Sequence, residues 1–129
     1  MKIISPVQLK ELIDSSNNDF QLIDIRDEYE FDICCIGGEK INMYSITDSL
    51  DKLSREKKII IYCRTGSRSA TIVSLLEKNF SFKNVYNLDG GIMKWRQDVD
   101  PSIKEYWNMK KYYLKYAFEF LLIFLGILI

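Results

Sequence analysis

Apolar and polar positions alternate in blocks along this chain, and each block predicts an element. The opening run Ser5-Pro6-Val7-Gln8 has the form of a capping box, with Ser5 at the N-cap and Pro6 at the first helical position. Val7, Leu9, Leu12 and Ile13 then predict an amphipathic helix, closed by the polar run Ser15 to Asp19. Gln21 to Ile25 predicts a short strand, Glu28 to Asp32 a helical turn, and Gly37-Gly38 a bend. Lys40 to Met43 predicts another short strand, and Thr47 to Leu53 a weak helix with Leu50 and Leu53 inward. Lys58 to Tyr62 (KIIIY) is the most strand-like run. It is apolar without alternation, as a parallel strand buried on both faces requires. Arg68 to Phe80 predicts a helix that packs through Ala70, Val73, Leu75, Leu76 and Phe80. Asn84 to Leu88 is a further strand, Asp89-Gly90-Gly91 a tight turn, and Ile92 to Arg96 the start of a last helix.

Strands alternating with helices imply an α/β fold with a mostly parallel central sheet flanked by helices. The apolar content is unevenly placed. From Tyr112 to Ile129 only Lys115 and Glu119 are charged, and Phe120 to Ile129 has no polar side chain. Two parts are therefore expected: a domain over 1–106 and an apolar C-terminal tail over 107–129, read as a helix.

Composition narrows the chemistry. The 129 residues carry 18 Lys+Arg against 18 Asp+Glu, which argues against a nucleic-acid binder that works by bulk positive charge. The absence of histidine excludes Ser-His-Asp and Cys-His catalysis and histidine metal sites. Three cysteines are too few for a disulfide scaffold and point to a reducing compartment. They also leave a four-ligand metal shell incomplete, so no metal is expected. Heavy use of Lys, Ile, Asn, Tyr and Phe reads as AT-rich coding, consistent with an organelle or a low-GC microbe. The N-terminus has no apolar run long enough for a signal peptide.

In a parallel sheet, ligands bind beyond the carboxyl ends of the strands. That rule points to Cys63-Arg64-Thr65-Gly66-Ser67-Arg68, directly after KIIIY. A cysteine alone at a strand end is ordinary core. Here it is followed by a glycine, small hydroxyl residues and, five positions on, an arginine that opens a helix. Such a loop turns several backbone N–H groups and a helix N-terminus toward one point, and Arg64 and Arg68 add positive charge. The combination favours a thiolate and an anion bound beside it. Ser67 or Ser69 is expected to cap the helix.

The run IIIYCRTGSRSA resembles the active-site loop of the rhodanese-like family of sulfurtransferases. LIDIRDEYEFDICCIGGEKINM is similar to that family's first strand and following segment, and NVYNLDGGIMKW to its closing strand, Gly-Gly turn and helix. The three motifs stand in family order over about residues 3–106. The resemblance implies a rhodanese-like fold in which Cys63 accepts sulfur as a persulfide and the backbone from Arg64 through Thr65, Gly66, Ser67 and Arg68 holds it. It implies no cofactor beyond that covalent intermediate. Asp24 and Arg26 match family positions and are read as supporting residues, as is Ser69; Gly90, Gly91 and Trp95 are read as a turn with core packing. Many family members have a histidine where Cys34 or its neighbour stands. Adjacent Cys34 and Cys35 are read as small packed side chains rather than relay thiols.

The implied reaction moves sulfane sulfur from thiosulfate or a cysteine-desulfurase persulfide to a thiol, cyanide or sulfur-carrier acceptor. Related phosphatases of the cell-cycle type have a loop one residue longer and a leaving-group acid. Neither is evident here, which disfavours phosphatase or arsenate-reductase-like chemistry. The competing reading is an idle rhodanese-fold interaction module; the presence of Cys63 argues for the enzyme. Trp95 to Tyr106 and EFDICCIGGEKI resemble rhodanese domains fused behind E1-like adenylyltransferases. A ubiquitin-like sulfur carrier or an E1-like enzyme is thus an expected partner, and nucleic acid is not. As a helix the tail 112–129 would reach ~27 Å against the ~30 Å of a bilayer core. With Lys and Tyr at one end it is a candidate membrane anchor, holding the domain in the cytoplasm or an organelle stroma such as that of a plastid.

Overall fold

The computed structural model describes residues 1–15, 19–107, 117–119 and 121–126. Its centre is a five-stranded sheet in which every paired neighbour is parallel. The strands are β1 (Lys2–Ile4), β2 (Phe20–Asp24), β3 (Glu39–Lys40), β4 (Lys58–Tyr62) and β5 (Val85–Leu88). Their spatial order is β1-β5-β4-β2-β3, so β4 runs through the middle. The helices are α1 (Pro6–Asp14), α2 (Glu28–Ile33), α3 (Ser67–Phe80) and α4 (Gly91–Asp98), with 3₁₀ turns at Met43–Asp48 and Leu50–Lys52.

β4 divides its side chains between two cores. Ile59, Ile61 and Cys63 pack with Ile72, Val73 and Leu76 of α3 and with Ile46 of the first 3₁₀ turn. Ile60 and Tyr62 face the other way, toward Leu9 of α1 and Ile92 and Trp95 of α4. The isoleucines of β4 are fully buried, and burying each such side chain contributes about 1.5–3 kcal/mol. The alternation fixes the site: the residue after Tyr62 must turn toward the α3 side, which places Cys63 under the start of α3.

Several expectations are corrected. β1 was not anticipated from the sequence. It is three residues at a sheet edge and buries only Ile4, too short for a periodic signal. The strand expected over Lys40 to Met43 ends at Lys40, because Asn42 caps the 3₁₀ turn by accepting from the Tyr44 N–H. The weak helix expected over Thr47 to Leu53 is a pair of 3₁₀ turns, although Leu53 is buried and Leu50 packs against the core as expected. On α1 the capping box forms, but Val7 and Ile13 face solvent and the buried contact is made by Pro6 and Leu9. Residues 16–18 of the expected polar turn, and 108–116, 120 and 127–129 of the tail, lie outside the described residues. The expected C-terminal helix over 112–129 is therefore unsupported. Within it, 117–119 and 121–124 are helical, and no helix among the described residues is long and apolar enough to cross a membrane.

Candidate functional site

The carboxyl ends of β2, β4 and β5 bring three chain segments together. The loop after β4 curls from Cys63 into α3. Gly66 takes a left-handed conformation (φ 98°) at the N-cap and has no side chain to offer the helix. The sulfur of Cys63 takes that place. Its Sγ accepts from the Gly66 N–H at 3.1 Å and from the Ser69 N–H at 3.4 Å, the donor that a capping side chain would ordinarily bond. Neither Ser67 nor Ser69 caps α3, contrary to expectation. Ser69 is buried instead, with its hydroxyl 3.3 Å from Sγ and in hydrogen-bond contact with Asn87 Oδ1 and the Gly66 carbonyl. Asn87 Nδ2 donates to that same carbonyl at 3.1 Å, so β5 holds the loop from beneath.

A second helix start closes the loop from the side. The N–H groups of Ile92 and Met93, in the first turn of α4, donate to the carbonyls of Cys63 (2.9 Å) and Arg64 (3.1 Å). This approach is possible only because Gly91 lacks a side chain. A Cβ there would stand 2.5 Å from both carbonyl oxygens, and its φ is +60°. The Gly90-Gly91 pair, expected as a simple turn, is thus what lets α4 clamp the cysteine loop. Trp95 packs in the core as expected.

The charged residues form a network beside the loop. Asp24 and Arg26 make a buried two-point pair, Nε to Oδ1 at 2.9 Å and Nη2 to Oδ2 at 2.7 Å. Arg26 also donates to the Cys34 carbonyl (2.7 Å) and to the Tyr106 hydroxyl (3.0 Å), and Tyr62 donates to Asp24 (2.9 Å). Arg68 forks onto Glu30 at 2.7 and 2.8 Å, and the Tyr106 hydroxyl donates to Glu30 at 2.6 Å. Burial opposes the Glu30 charge, but the hydrogen bonds and charge of Arg68 and the bond from Tyr106 outweigh it, so its carboxyl lies below the usual range. Burial and the adjoining carboxylates push the Tyr62 and Tyr106 hydroxyls well above the ordinary tyrosine range. Burial likewise raises the Cys34 thiol, against the pull of Arg26.

The sequence-predicted residues Cys63 to Ser69 come together. Asp24 and Arg26 do not touch the sulfur; they brace the neighbouring segment. Arg68 is turned away from a free role by Glu30. Cys34 and Cys35 are half-buried free thiols, and Cys34 packs against the core on the α1 side. Sequence reasoning missed Glu30, Tyr62, Tyr106 and Asn87. Of these only Asn87 left a signal, as a polar residue inside an apolar strand. Above the loop is a pocket of about 290 Å³ lined by Asp27, Tyr29, Glu30, Met43, Tyr44, Arg64, Thr65, Ser67 and Arg68.

A parallel α/β sheet with a cysteine cradled at the start of the helix after its central strand defines a class of domain, and the comparisons name it. The family model described as Rhodanese-like domain matches residues 5–98, and the chain belongs to that family. It is 34% identical over 106 residues to the probable adenylyltransferase/sulfurtransferase MoeZ of Mycobacterium tuberculosis, covering 80% of this chain and 26% of that protein. It is 32% identical over 103 residues to the putative sulfurtransferase YtwF of Bacillus subtilis, covering 79% of this chain and 97% of that one. A tRNA uridine(34) hydroxylase of Staphylococcus aureus is 31% identical, over 84% of this chain and 35% of its own. The crystal structure of the BH2092 protein of Bacillus halodurans superposes with a TM-score of 0.71 at 28% identity, covering 88% of this chain and 89% of that one. The chain thus spans about a quarter of the length of MoeZ and nearly all of YtwF.

Proposed function

We propose that this protein is a sulfurtransferase that carries sulfane sulfur as a persulfide on Cys63. The observation that carries the reading is the capping of α3 by the Cys63 sulfur, where N–H groups of Gly66 and Ser69 converge on one atom. N–H dipoles at a helix start stabilise negative charge placed on that atom. In the first step the thiolate attacks the outer sulfur of thiosulfate. A sulfur–sulfur bond forms to Cys63, the sulfur–sulfur bond of the donor breaks, and sulfite leaves with the electron pair. The first-turn N–H groups of Ser67 and Arg68, which the helix itself does not bond, are the donors left to receive the outer sulfur of the persulfide. In the second step an acceptor nucleophile takes that sulfur and the Cys63 thiolate returns; with cyanide the product is thiocyanate. Electrons balance across both steps without a metal or organic cofactor.

Kinship to proteins named adenylyltransferase/sulfurtransferase supports a sulfur-carrier tail, activated by an E1-like enzyme, as the physiological acceptor. A cysteine-desulfurase persulfide is the alternative donor. A reducing cytoplasm or organelle stroma suits a chain that works through a free thiol. The test is intact-mass spectrometry after incubation with thiosulfate. Wild type gains one sulfur atom on Cys63, the Cys63→Ser variant does not, and cyanide discharges the adduct as thiocyanate. A wild-type protein that gains no sulfur and yields no thiocyanate would leave the fold as an interaction module.

A further inference from the structure

The two loop arginines are held in different ways. Arg68 is committed: both ends of its fork bind the carboxylate of buried Glu30. Arg64 meets no carboxylate among the described residues. Its Nε donates to the Tyr106 carbonyl at 2.8 Å, and its guanidinium lies 5.5 Å from the Tyr106 ring and 5.6 Å from the Trp107 ring. Among the described residues its Nη1 and Nη2 make no hydrogen bond or ion pair, so the open end of the fork keeps its donors. That end is the geometry that grips an oxyanion at two points. Arg64 also lines the pocket above the cysteine loop. Of the other charged residues that line the pocket, Glu30 neutralises Arg68, and Asp27 keeps its charge while accepting from Asn42 Nδ2 at 3.1 Å.

The segment that holds Arg64 is itself anchored twice. Arg96 Nε donates to the Ile103 carbonyl at 2.9 Å, and the Tyr106 side chain is buried between Arg26 and Glu30. Trp107 follows directly and is 70% exposed. A large indole left in solvent gains little from the core, and among the described residues its ring faces the Arg64 guanidinium.

We propose that the strap Ile103 to Trp107 sets Arg64 as the group that grips the anionic part of the sulfur donor, with Trp107 its positioning residue and Arg68 reserved for the frame. The proposal rests on the sulfurtransferase reading for its substrate, a doubly charged donor such as thiosulfate. Trp107 touches no reacting atom. Its ring lies 5.6 Å from the guanidinium, and the role assigned to it is to hold that group at the pocket.

The experiment uses the full chain in two arms. In the first, thiosulfate binding to Cys63→Ser protein is measured by calorimetry, where no sulfur can transfer. Trp107→Ala is expected to weaken binding about two- to fivefold, the scale of an exposed cation–π contact, and Trp107→Phe to restore most of it. In the second, thiosulfate:cyanide turnover shows KM raised by the same factor in Trp107→Ala with kcat within about twofold. Arg64→Lys raises KM further, whereas Arg68→Lys lowers the melting temperature more than it raises KM. Unchanged binding and KM in Trp107→Ala overturn the proposal, as does a larger KM effect from Arg68→Lys than from Arg64→Lys. A wild type that loads no sulfur sinks the sulfurtransferase reading, while the binding arm still decides the role of Arg64.

Discussion

Two regions at the carboxyl end of the sheet lie side by side and differ in how they use polarity. One is the cluster of Asp24, Arg26, Glu30, Arg68, Tyr62 and Tyr106. There every charge is met by an opposite charge, and the hydroxyls fill the remaining valences. The other is the loop from Cys63 to Ser69, where neutral backbone N–H groups converge on one sulfur. The difference separates frame from chemistry. Paired side-chain charges cancel, and what they add is shape. Backbone dipoles fixed at a helix start do not cancel, and so they remain available to a reacting atom.

The comparison breaks most visibly if the frame is opened. Asp24→Ala strips a buried guanidinium of its two-point partner and takes the acceptor from Tyr62. A buried ion pair adds little net stability over apolar packing, but removing one member leaves an uncompensated charge at a cost of about 3–5 kcal/mol. That is a large part of the ~5–15 kcal/mol that holds a small domain together. Urea unfolding of the variant checks it. A loss under 1 kcal/mol would mean that the cluster does not frame the site.

The loop is broken differently, through the backbone. Gly91→Ala sets a methyl 2.5 Å from the carbonyls of Cys63 and Arg64, at a φ of +60°. A left-handed alanine costs about 1–2 kcal/mol before any clash, so a total near 2–3 kcal/mol is expected. The clamp from α4 should loosen with it. The expected signature is slower sulfur loading per folded molecule, read by mass spectrometry under conditions where circular dichroism shows the fold intact. Gly90→Ala carries the same left-handed strain (φ +70°) but would set its methyl against the Lys94 side chain, 2.5 Å from its Cβ, rather than against the loop carbonyls, so it serves as the control that separates lost stability from the loosened loop.

This division also explains what could be read in advance. The fold and the loop were legible because both rest on local pattern. KIIIY announces a doubly buried parallel strand, and Cys63 to Arg68 with Gly66 announces a helix start at its end. The frame was legible only at Asp24 and Arg26, because partners as far apart as Arg26 and Tyr106, 80 positions along the chain, meet only after folding. Glu30 looked like one more acid in the run Asp27 to Asp32, and Tyr106 like one of eight tyrosines. Arg68 was recognised, but its partner was not. Sequence showed a charge beside the cysteine and could not show that Glu30 already holds it. Gly91 was recognised as a turn residue, while its contact with the loop depends on the meeting of β5 and β4. β1 escaped because a three-residue edge strand carries no period.

The smallest of these effects concerns pH and belongs to the frame alone. Glu30 titrates below its ordinary range because Arg68 and Tyr106 outweigh the penalty of burial. A carboxyl with a lowered folded pKa gives stability that is fully present above its unfolded pKa of about 4.3 and is lost as pH falls through the folded value. Glu30→Gln removes that dependence. Arg68 keeps 31% of its side chain exposed, so water takes over part of the lost partner, and the cost at neutral pH should be about 1–2 kcal/mol. The gap between wild type and variant, measured by urea unfolding from pH 7 down to pH 3, should therefore narrow below about pH 4.3. A gap of constant size over that range would mean that Glu30 stabilises by packing and not by charge. In that event Arg68 would no longer count as neutralised, and the contrast between a cancelled frame and an uncancelled loop would have to be redrawn around it.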